Sequence, residues 1–389
     1  MARAAVNPKL VGWARHRAGL TPEMFAKKIQ TSEDNVKLWE SGELKPTFNQ
    51  ARRIAKVTKV PFGYLFLQSP PEETPIVPDF RKPDIDQSEA YLTEISDLLR
   101  DVQYKLDWYR EYRLQNGALP LNFVGSFSLG TDAREVADSI RAHVGGALLN
   151  PNRSSRFETH LTELTRSVEQ VGIWVMRSGV IANNTHRPLP VQAVRGFSVA
   201  DIYTPLVFIN ARDAKAAQIF TLVHELAHIW FGQSGISDPL HPDKNKNEYV
   251  NLERKCNSVA SHALLPDDEF LESWNEYADN SENIEMISLK FKVSSVVAAI
   301  KAYSLGYISS REVEETKKVS EEMWRKQSSS QSTGGDFYRN TYSRNGASFT
   351  EAVVERAVSG SILLREAGRL LNMNPHTVQK IYDRNRSAR

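Results

Sequence analysis

Residues 218–230 read Gln-Ile-Phe-Thr-Leu-Val-His-Glu-Leu-Ala-His-Ile-Trp, with no helix breaker before Gly232. The spacing of the large side chains predicts an amphipathic helix. Its apolar face is formed by Phe220, Val223, Ala227 and Trp230. His224 and His228 are four residues apart and therefore project from one neighbouring face. This stretch predicts a helix that packs into a core and presents two imidazoles to a cleft.

Two imidazoles on one helix face are typical of a zinc site, and the His-Glu-x-x-His order places Glu225 beside them. Catalytic zinc takes three protein ligands and leaves a fourth position for water. Glu253, on the next predicted helix, is the candidate third ligand. Glu225 is the candidate general base, and Asn257 is placed to hydrogen-bond the free ring nitrogen of a ligand histidine and so orient that ring. The alternative is a surface helix that carries two unrelated histidines.

A peptidase would also need a group that stabilises the oxyanion. The sequence offers several candidates without choosing among them: Arg195, His241, Tyr249 and His262. The single cysteine, Cys256, lies in the predicted helix of Glu253, and a buried structural role is favoured over a nucleophilic one. One cysteine also excludes an internal disulfide framework and fits a reducing compartment.

Composition places the chain among globular proteins of two or three domains, since it has 389 residues of which 41% are hydrophobic and 25% charged. No stretch is apolar enough to span a membrane, so we expect a cytoplasmic protein without membrane contact. Residues 1–70 hold 12 Lys/Arg and 5 Asp/Glu, and residues 339–389 hold 9 and 4. Basic ends around an acidic centre suggest nucleic-acid contact, although surface solvation explains the charge as well.

The periodicity along the chain predicts a mainly α fold with a small β-sheet, an α+β class. Short strands are expected at 173–176, 191–197 and 206–209, and long helices at 213–231 and 248–265. The expected domains are a five-helix domain at 1–67, a Pro-rich linker at 68–84, a metallopeptidase domain at 85–327 with its core at 170–270, a flexible Ser/Gly linker at 328–338, and a basic helical segment at 339–389.

Residues 7–67 resemble a helix-turn-helix domain of the Xre or phage-repressor type. Ala26 is the small residue where two helices cross, Gln30-Thr31-Ser32 forms the turn, Trp39 anchors the third helix and Gly42 ends it. In such a motif the start of the third helix faces the bases. The DNA-binding candidates are Ser32, Glu33, Asn35 and Lys37, with Lys27 and Lys28 for phosphates. A protein-docking or dimerising role is the alternative, because Glu33 and Asp34 repel DNA.

Two later segments, 291–297 and 367–378, also suggest helix, turn and helix. Ordinary helical packing is the alternative for both.

Residues 170–270 are similar to the ImmA/IrrE family of metallopeptidases. The resemblance is carried by Arg187-Pro188-Leu189, Arg195-Gly196-Phe197, Phe208-Ile209-Asn210, the zinc motif, and Glu253-x-x-Cys256-Asn257 running to Leu264-Leu265-Pro266. It implies a gluzincin-like zinc site, an edge strand at 206–210 that aligns an extended peptide, and a role in cleaving or restraining a transcriptional repressor.

The sequence therefore predicts a zinc-dependent endopeptidase that carries a DNA-binding domain and acts on a regulatory protein or repressor. The competing hypothesis is a DNA-binding transcriptional regulator or antitoxin whose zinc site is structural or vestigial. A homodimer is compatible with either hypothesis. Neither the substrate nor the activating signal follows from the residues.

Overall fold

A computed structural model describes residues 3–58, 60–70, 89–237, 247–328 and 337–387. The expected linker at 68–84 lies mostly outside these residues, as does most of the one at 328–338. The chain divides into two units: residues 1–76 with 83–100, and residues 77–82 with 101–389. The expected α+β class is confirmed, because many helices surround one small sheet.

The first unit begins with four α-helices and a 3₁₀ helix, which matches the expected five helices. They are α1 (Pro8–Arg17), α2 (Pro22–Ile29), α3 (Glu33–Ser41), α4 (Phe48–Thr58) and the 3₁₀ helix Phe62–Phe66. Thr21 and Ser32 cap α2 and α3 by accepting backbone N–H groups. Gly42 ends α3 in the left-handed region with φ +87°.

The helices of this unit close around one apolar core that includes Phe25, Val36, Trp39, Ile54 and Leu65. A partly buried ion pair, Arg15 Nε to Glu40 Oε1 at 2.6 Å, joins α1 to α3. The predicted roles of Ala26 at the helix crossing and Trp39 in the core agree with their burial.

The second unit contains the sheet and the helices of the metal motif. The division between the units falls within α5 (Glu89–Gln115). The following helices are α6 (Ala133–Val144), α7 (Gly146–Leu149), the 3₁₀ helix Pro151–Arg153, α8 (Phe157–Gln170), α9 (Lys215–Trp230), α10 (Asn247–Leu264), α11 (Asp267–Ser273), α12 (Asn280–Phe291), α13 (Ser295–Ser304), α14 (Ser310–Ser328), α15 (Phe337–Asn345), α16 (Ala347–Val358), α17 (Leu364–Leu370) and α18 (Pro375–Ser387).

The main sheet has four strands in the order β1-β5-β4-β6. The strands are β1 (Trp174–Ser178), β2 (Val180–Ile181), β3 (Asn184–Pro188), β4 (Gly196–Val199), β5 (Leu206–Asn210) and β6 (Gly235–Ser237). β1 runs parallel to β5, β4 is antiparallel to both β5 and β6, and β2 and β3 form a separate hairpin. The strand expected at 191–197 is shorter and later, because residues 191–193 form a turn.

α9 packs on β4 and β5 on one side and against α8 and α10 on the other. Every residue of α9 from Thr221 to Trp230 is buried. This central position explains the apolar sequence of the motif helix, and it brings α10 beside the two histidines.

The C-terminal helices pack against the sheet of the same unit. Trp174 Nε1–H on β1 donates to the Asn345 carbonyl at 2.7 Å, and a Glu169 carboxylate oxygen accepts the Ala347 N–H at 2.9 Å. Gly346 has φ +80°, and a Cβ there would lie 2.5 Å from Trp174 Nε1. The chain therefore needs glycine at this contact.

His160 on α8 is expected to make the stability of the fold depend on pH. Its ring is 1% exposed, and neither ring nitrogen has a hydrogen-bond partner among the described residues. Burial, followed by the charge of Lys292, lowers the pKa of His160 from 6.5 to about 4. Between these values the unfolded chain binds the proton and the folded chain does not, so stability falls as the pH drops through this window.

We expect His160→Leu to lose less stability than the unchanged protein between pH 7 and pH 5, since it lacks this protonation. The lowered pKa of His160 changes the free energy of unfolding by at most about 3 kcal/mol. Thermal unfolding of both proteins at the two pH values measures it. Equal losses in both would refute the role assigned to His160.

Candidate metal centre

The two histidines of α9 meet a carboxylate from α10. His224 Nε2 lies 3.1 Å from His228 Nε2, and Glu253 Oε2 and Oε1 lie 3.3 and 3.2 Å from the two nitrogens, respectively. The ligand atoms of all three residues lie within 4.8 Å of one another. The structure thus brings together the three predicted metal ligands, from two helices that pack side by side.

The spacing of these atoms suits a zinc ion. In a tetrahedral site with bonds of roughly 2.0–2.1 Å, neighbouring ligand atoms are about 3.3 Å apart. Both Glu253 oxygens are buried, and neither accepts a well-formed hydrogen bond from the described residues. Unsatisfied buried carboxylate oxygens are costly. The three residues therefore fit a cation.

The carboxylate of Glu253 is held in its ionised form. Burial alone would raise its pKa, but the adjacent His224 and His228 imidazoles outweigh burial and lower the pKa below its usual range. The ionised carboxylate is the form in which this side chain binds metal.

Asn257 orients His224. Its Oδ1 lies 3.0 Å from His224 Nδ1, one helical turn after Glu253. An amide oxygen only accepts hydrogen bonds, so Nδ1 carries a proton, and Nε2 is the ring nitrogen that faces Glu253, where a metal would bind. The hydrogen bond predicted between a ligand histidine and Asn257 thus leaves Nε2 of His224 as the nitrogen for the metal.

Removal of this acceptor gives the first prediction at the site. We expect Asn257→Ala to weaken metal binding about 10–100-fold, because the His224 ring loses its fixed orientation. Asn257→Asp keeps an acceptor oxygen at the same place and serves as the matched control. Titration of each apoprotein with zinc against a chelator of known affinity measures the change. Equal affinities for alanine and aspartate would contradict the positioning role.

Glu225 lies on α9 directly beside the ligands and is fully buried. Ser198 Oγ on β4 donates to Glu225 Oε2 at 2.8 Å, whereas Oε1 has no hydrogen-bond partner among the described residues. Burial raises the pKa of Glu225, and the His228 and His224 imidazoles oppose that rise. The carboxylate is therefore fixed at one oxygen and suited to take up a proton at the other.

Gly196 allows β4 to approach this carboxylate. A Cβ at position 196 would lie 2.5 Å from Thr221 Cγ2, 2.9 Å from the Phe208 carbonyl and 3.2 Å from Glu225 Oε1. Neither Gly196 nor Ser198 was expected at the site from the sequence, although Gly196 belongs to a segment that resembles the family. The signal that was available is the glycine itself, inside a strand pattern.

Cys256 is buried behind the ligands. Burial raises the pKa of the Cys256 thiol well above its usual value, and the negative charges of Glu253 and Glu225 raise it further. A protonated, inaccessible thiol is a poor nucleophile. The packing role expected for Cys256 agrees with its position.

Of the four oxyanion candidates, the structure describes the side chains of Arg195 and His262. Arg195 is held in an ion pair with Asp213 at 2.8 Å. His262 lies near Asp267 and Lys301 and lines a cavity with Arg254 and Lys255. His241 and the Tyr249 side chain fall outside the described residues.

The expectation that residues 206–210 form a peptide-binding edge strand is wrong. β5 pairs with β1 on one side and β4 on the other, so its backbone has no free edge. β5 follows β4 in the chain but lies between β1 and β4 in the sheet. Adjacency in sequence could not reveal this pairing.

The DNA-binding candidates lie on α2, α3 and the turn between them. Ser32 Oγ caps α3 by accepting the Asn35 N–H at 3.3 Å, and Asn35 Nδ2 donates to Thr31 Oγ1. Lys37 pairs with Glu33 at 2.9 Å. Lys27 and Lys28 are exposed near the C-terminal end of α2.

Two histidines one turn apart on a helix, with a carboxylate from the following helix, are the arrangement of a metallopeptidase-like domain. Residues 168–303 match the family model of the IrrE N-terminal-like domain. Residues 12–65 match a helix-turn-helix model, and residues 345–384 match a domain of unknown function (DUF8813). No curated protein matches the chain. The resemblance to ImmA/IrrE-type metallopeptidases with an N-terminal Xre-like helix-turn-helix domain is confirmed.

No described helix is long and apolar enough to cross a membrane.

Proposed function

We propose that this protein is a zinc-dependent endopeptidase coupled to a DNA-binding domain, and that it cleaves a transcriptional repressor or another regulatory protein. The observation that carries the proposal is the convergence of His224, His228 and Glu253, with the buried carboxylate of Glu225 beside them. The matches to the two family models support both halves of the proposal.

His224, His228 and Glu253 would hold the zinc ion. The chemistry that zinc supplies when bound is Lewis-acid activation of water and of the peptide carbonyl. Glu225 accepts the water proton at Oε1, while Ser198 holds Oε2 in place. Glu225 then donates that proton to the leaving amine, as a general base that becomes the general acid.

The helix-turn-helix domain would direct the peptidase. Lys27 and Lys28 are exposed and suit phosphate contacts. Binding of DNA or of a partner protein through this domain would bring the site to a regulatory protein bound nearby. A DNA-linked role and a single buried cysteine support a cytoplasmic location.

A comparison of new protein N-termini tests the proposal. Cells that express the protein and cells that express Glu225→Gln at the same level are compared by terminal-peptide mass spectrometry. We expect a small set of N-termini that depends on Glu225 and includes a DNA-binding regulator. Identical sets under every growth condition in which the protein is made would reject the peptidase function.

One observation favours a second candidate function, a DNA-binding regulator that uses the metal site only for structure. His224, Glu225, His228 and Glu253 are each at most 2% exposed, so a peptide needs an opening to reach them. For this candidate, transcription of the target genes would be unchanged by Glu225→Gln and lost when DNA contacts are removed. If the protein is a peptidase, Glu225→Gln alone would change transcription of the target genes.

A further inference from the structure

The C-terminal helices α16, α17 and α18 form a three-helix group in which α18 packs against the other two. The turn between α17 and α18 contains Asn372, whose φ is +52°. α18 begins three residues later, at Pro375. A left-handed residue in a short turn between two packed helices is the geometry of a helix-turn-helix unit.

The N-terminal helix-turn-helix domain shows the same spacing. There Gln30 is left-handed with φ +59°, and α3 begins three residues later at Glu33. Small residues lie four positions before the two left-handed residues, and buried apolar residues lie six and nine positions after them. The corresponding residues are Ala26 and Gly368, Val36 and Val378, and Trp39 and Ile381.

Gly368 shows how closely α17 and α18 pack. A Cβ at this position would lie 2.8 Å from the Met373 carbonyl and 3.2 Å from Pro375 Cδ. The close crossing of α17 and α18 thus depends on glycine, as the crossing in the N-terminal unit uses Ala26.

The outer face of α18 is polar and open. His376, Gln379, Lys380 and Asp383 are exposed, at positions that share one helix face. Arg365 on α17 is also exposed. Neither Lys380 nor Arg365 forms an ion pair with a described residue, whereas Lys37 on α3 is paired with Glu33. Lys380 and Arg365 are therefore available to phosphates.

A left-handed turn between two helices does not by itself indicate nucleic-acid binding. The same left-handed turn occurs at Lys292, three residues before α13. Lys292 belongs to the segment 291–297, for which the sequence also suggests helix, turn and helix. On α13, the helix face that corresponds to the polar face of α18 carries the exposed apolar residues Ile300 and Tyr303. Lys301, nine positions after Lys292, is buried and forms an ion pair with Asp267. That unit is built for packing. The exposed polar face distinguishes α18 from it.

We propose that residues 364–387 bind double-stranded DNA, with the N-terminal half of α18 in the major groove. Lys380 and Arg365 contact phosphates, and Gln379 hydrogen-bonds a base edge, for which glutamine pairing with adenine is the favoured geometry. This assigns a second DNA contact to the chain, separate from residues 12–65, and it does not depend on peptidase activity.

The unit must be tested in the full chain, because it is anchored to the rest of its domain. Asn372 Nδ2 donates to Asp101, and Asn183 Nδ2 donates to the Leu371 carbonyl at 3.0 Å. These contacts hold the turn and leave the outer face of α18 exposed.

The test measures binding of a short labelled DNA duplex over a series of salt concentrations. The starting protein carries Lys27→Glu and Lys28→Glu, which weaken contacts by the N-terminal domain. We expect residual binding, which Lys380→Glu with Arg365→Glu lowers about tenfold or more, with a salt slope smaller by about 2. Lys318→Glu with Arg311→Glu, which reverses two exposed cations on α14, is the control of equal net charge.

Selection of bound duplexes from a random pool then tests base reading. We expect Gln379→Ala to relax one selected base pair without reducing the salt slope. The proposal is overturned if no DNA binding remains in the starting protein, or if the α17 and α18 substitutions change affinity no more than the two α14 substitutions do. Thermal unfolding of each variant shows whether it is folded, and an unfolded charge variant is replaced by Lys380→Gln with Arg365→Gln.

Discussion

Replacement of Glu225 by glutamine is expected to abolish peptide cleavage while the metal stays bound. The amide retains the size of the side chain, and its oxygen still accepts from Ser198, but the NH2 group in the place of Oε1 cannot accept a proton. Loss of a general base lowers turnover about 10²–10⁴-fold. The rate of cleavage of the regulatory protein identified by its new N-terminus, measured beside the zinc content, gives the result.

Two controls make this result specific. Ser198→Ala removes one hydrogen bond to Glu225 but leaves the carboxylate, so we expect a smaller loss of turnover than for glutamine. Cys256→Ala alters a buried residue without a chemical role and should cleave at nearly the normal rate. Cleavage by Glu225→Gln at the normal rate would show that another group acts as the base.

Replacement of Glu253 by alanine is expected to release the metal. It removes the one negatively charged ligand and leaves two imidazoles on a single helix. The loss of affinity should exceed the change of about 10–100-fold expected for an orienting residue such as Asn257. A chelator competition with zinc measures both variants on one scale.

Lys255→Ala is the matched control for Glu253→Ala. It lies two residues further along α10, on the part of the helix that lines a cavity with Arg254 and Ser258. We expect it to bind zinc as the unchanged protein does. An affinity for Glu253→Ala equal to that of Lys255→Ala would mean that the carboxylate is not a ligand.

The metal ligands could be predicted from the sequence because their signal is local. His224 and His228 are related by helical spacing alone, and the boundaries expected for α9 and α10 agree with the structure to within two residues at each end. Asn257 follows Glu253 by one turn, so its position on the same helix face also follows from spacing.

The sheet could not be predicted in the same way because strand pairing is not local. β5 is central only because β1 pairs with it in parallel, and β6 completes the sheet from beyond α9. The contact between Ser198 and Glu225 depends on that arrangement. Short strands such as β2 and β6 also carry too few residues for a periodic pattern.

The C-terminal helices show a different limit of the sequence. A Ser- and Gly-rich stretch before residue 337 favours a separate segment. The structure instead packs α15 on β1, through Trp174 and Asn345. A single tryptophan N–H bonded to a distant carbonyl has no signature in the sequence.

Anomalous diffraction at the zinc absorption edge, from crystals of the purified protein, tests the central claim most directly. We predict one peak, at roughly 2.0–2.2 Å from His224 Nε2, His228 Nε2 and a Glu253 carboxylate oxygen. The peak should vanish in crystals of Glu253→Ala. A zinc-loaded protein whose only peak lies elsewhere, or one with no peak at all, would contradict the three-ligand site and with it the proposed peptidase.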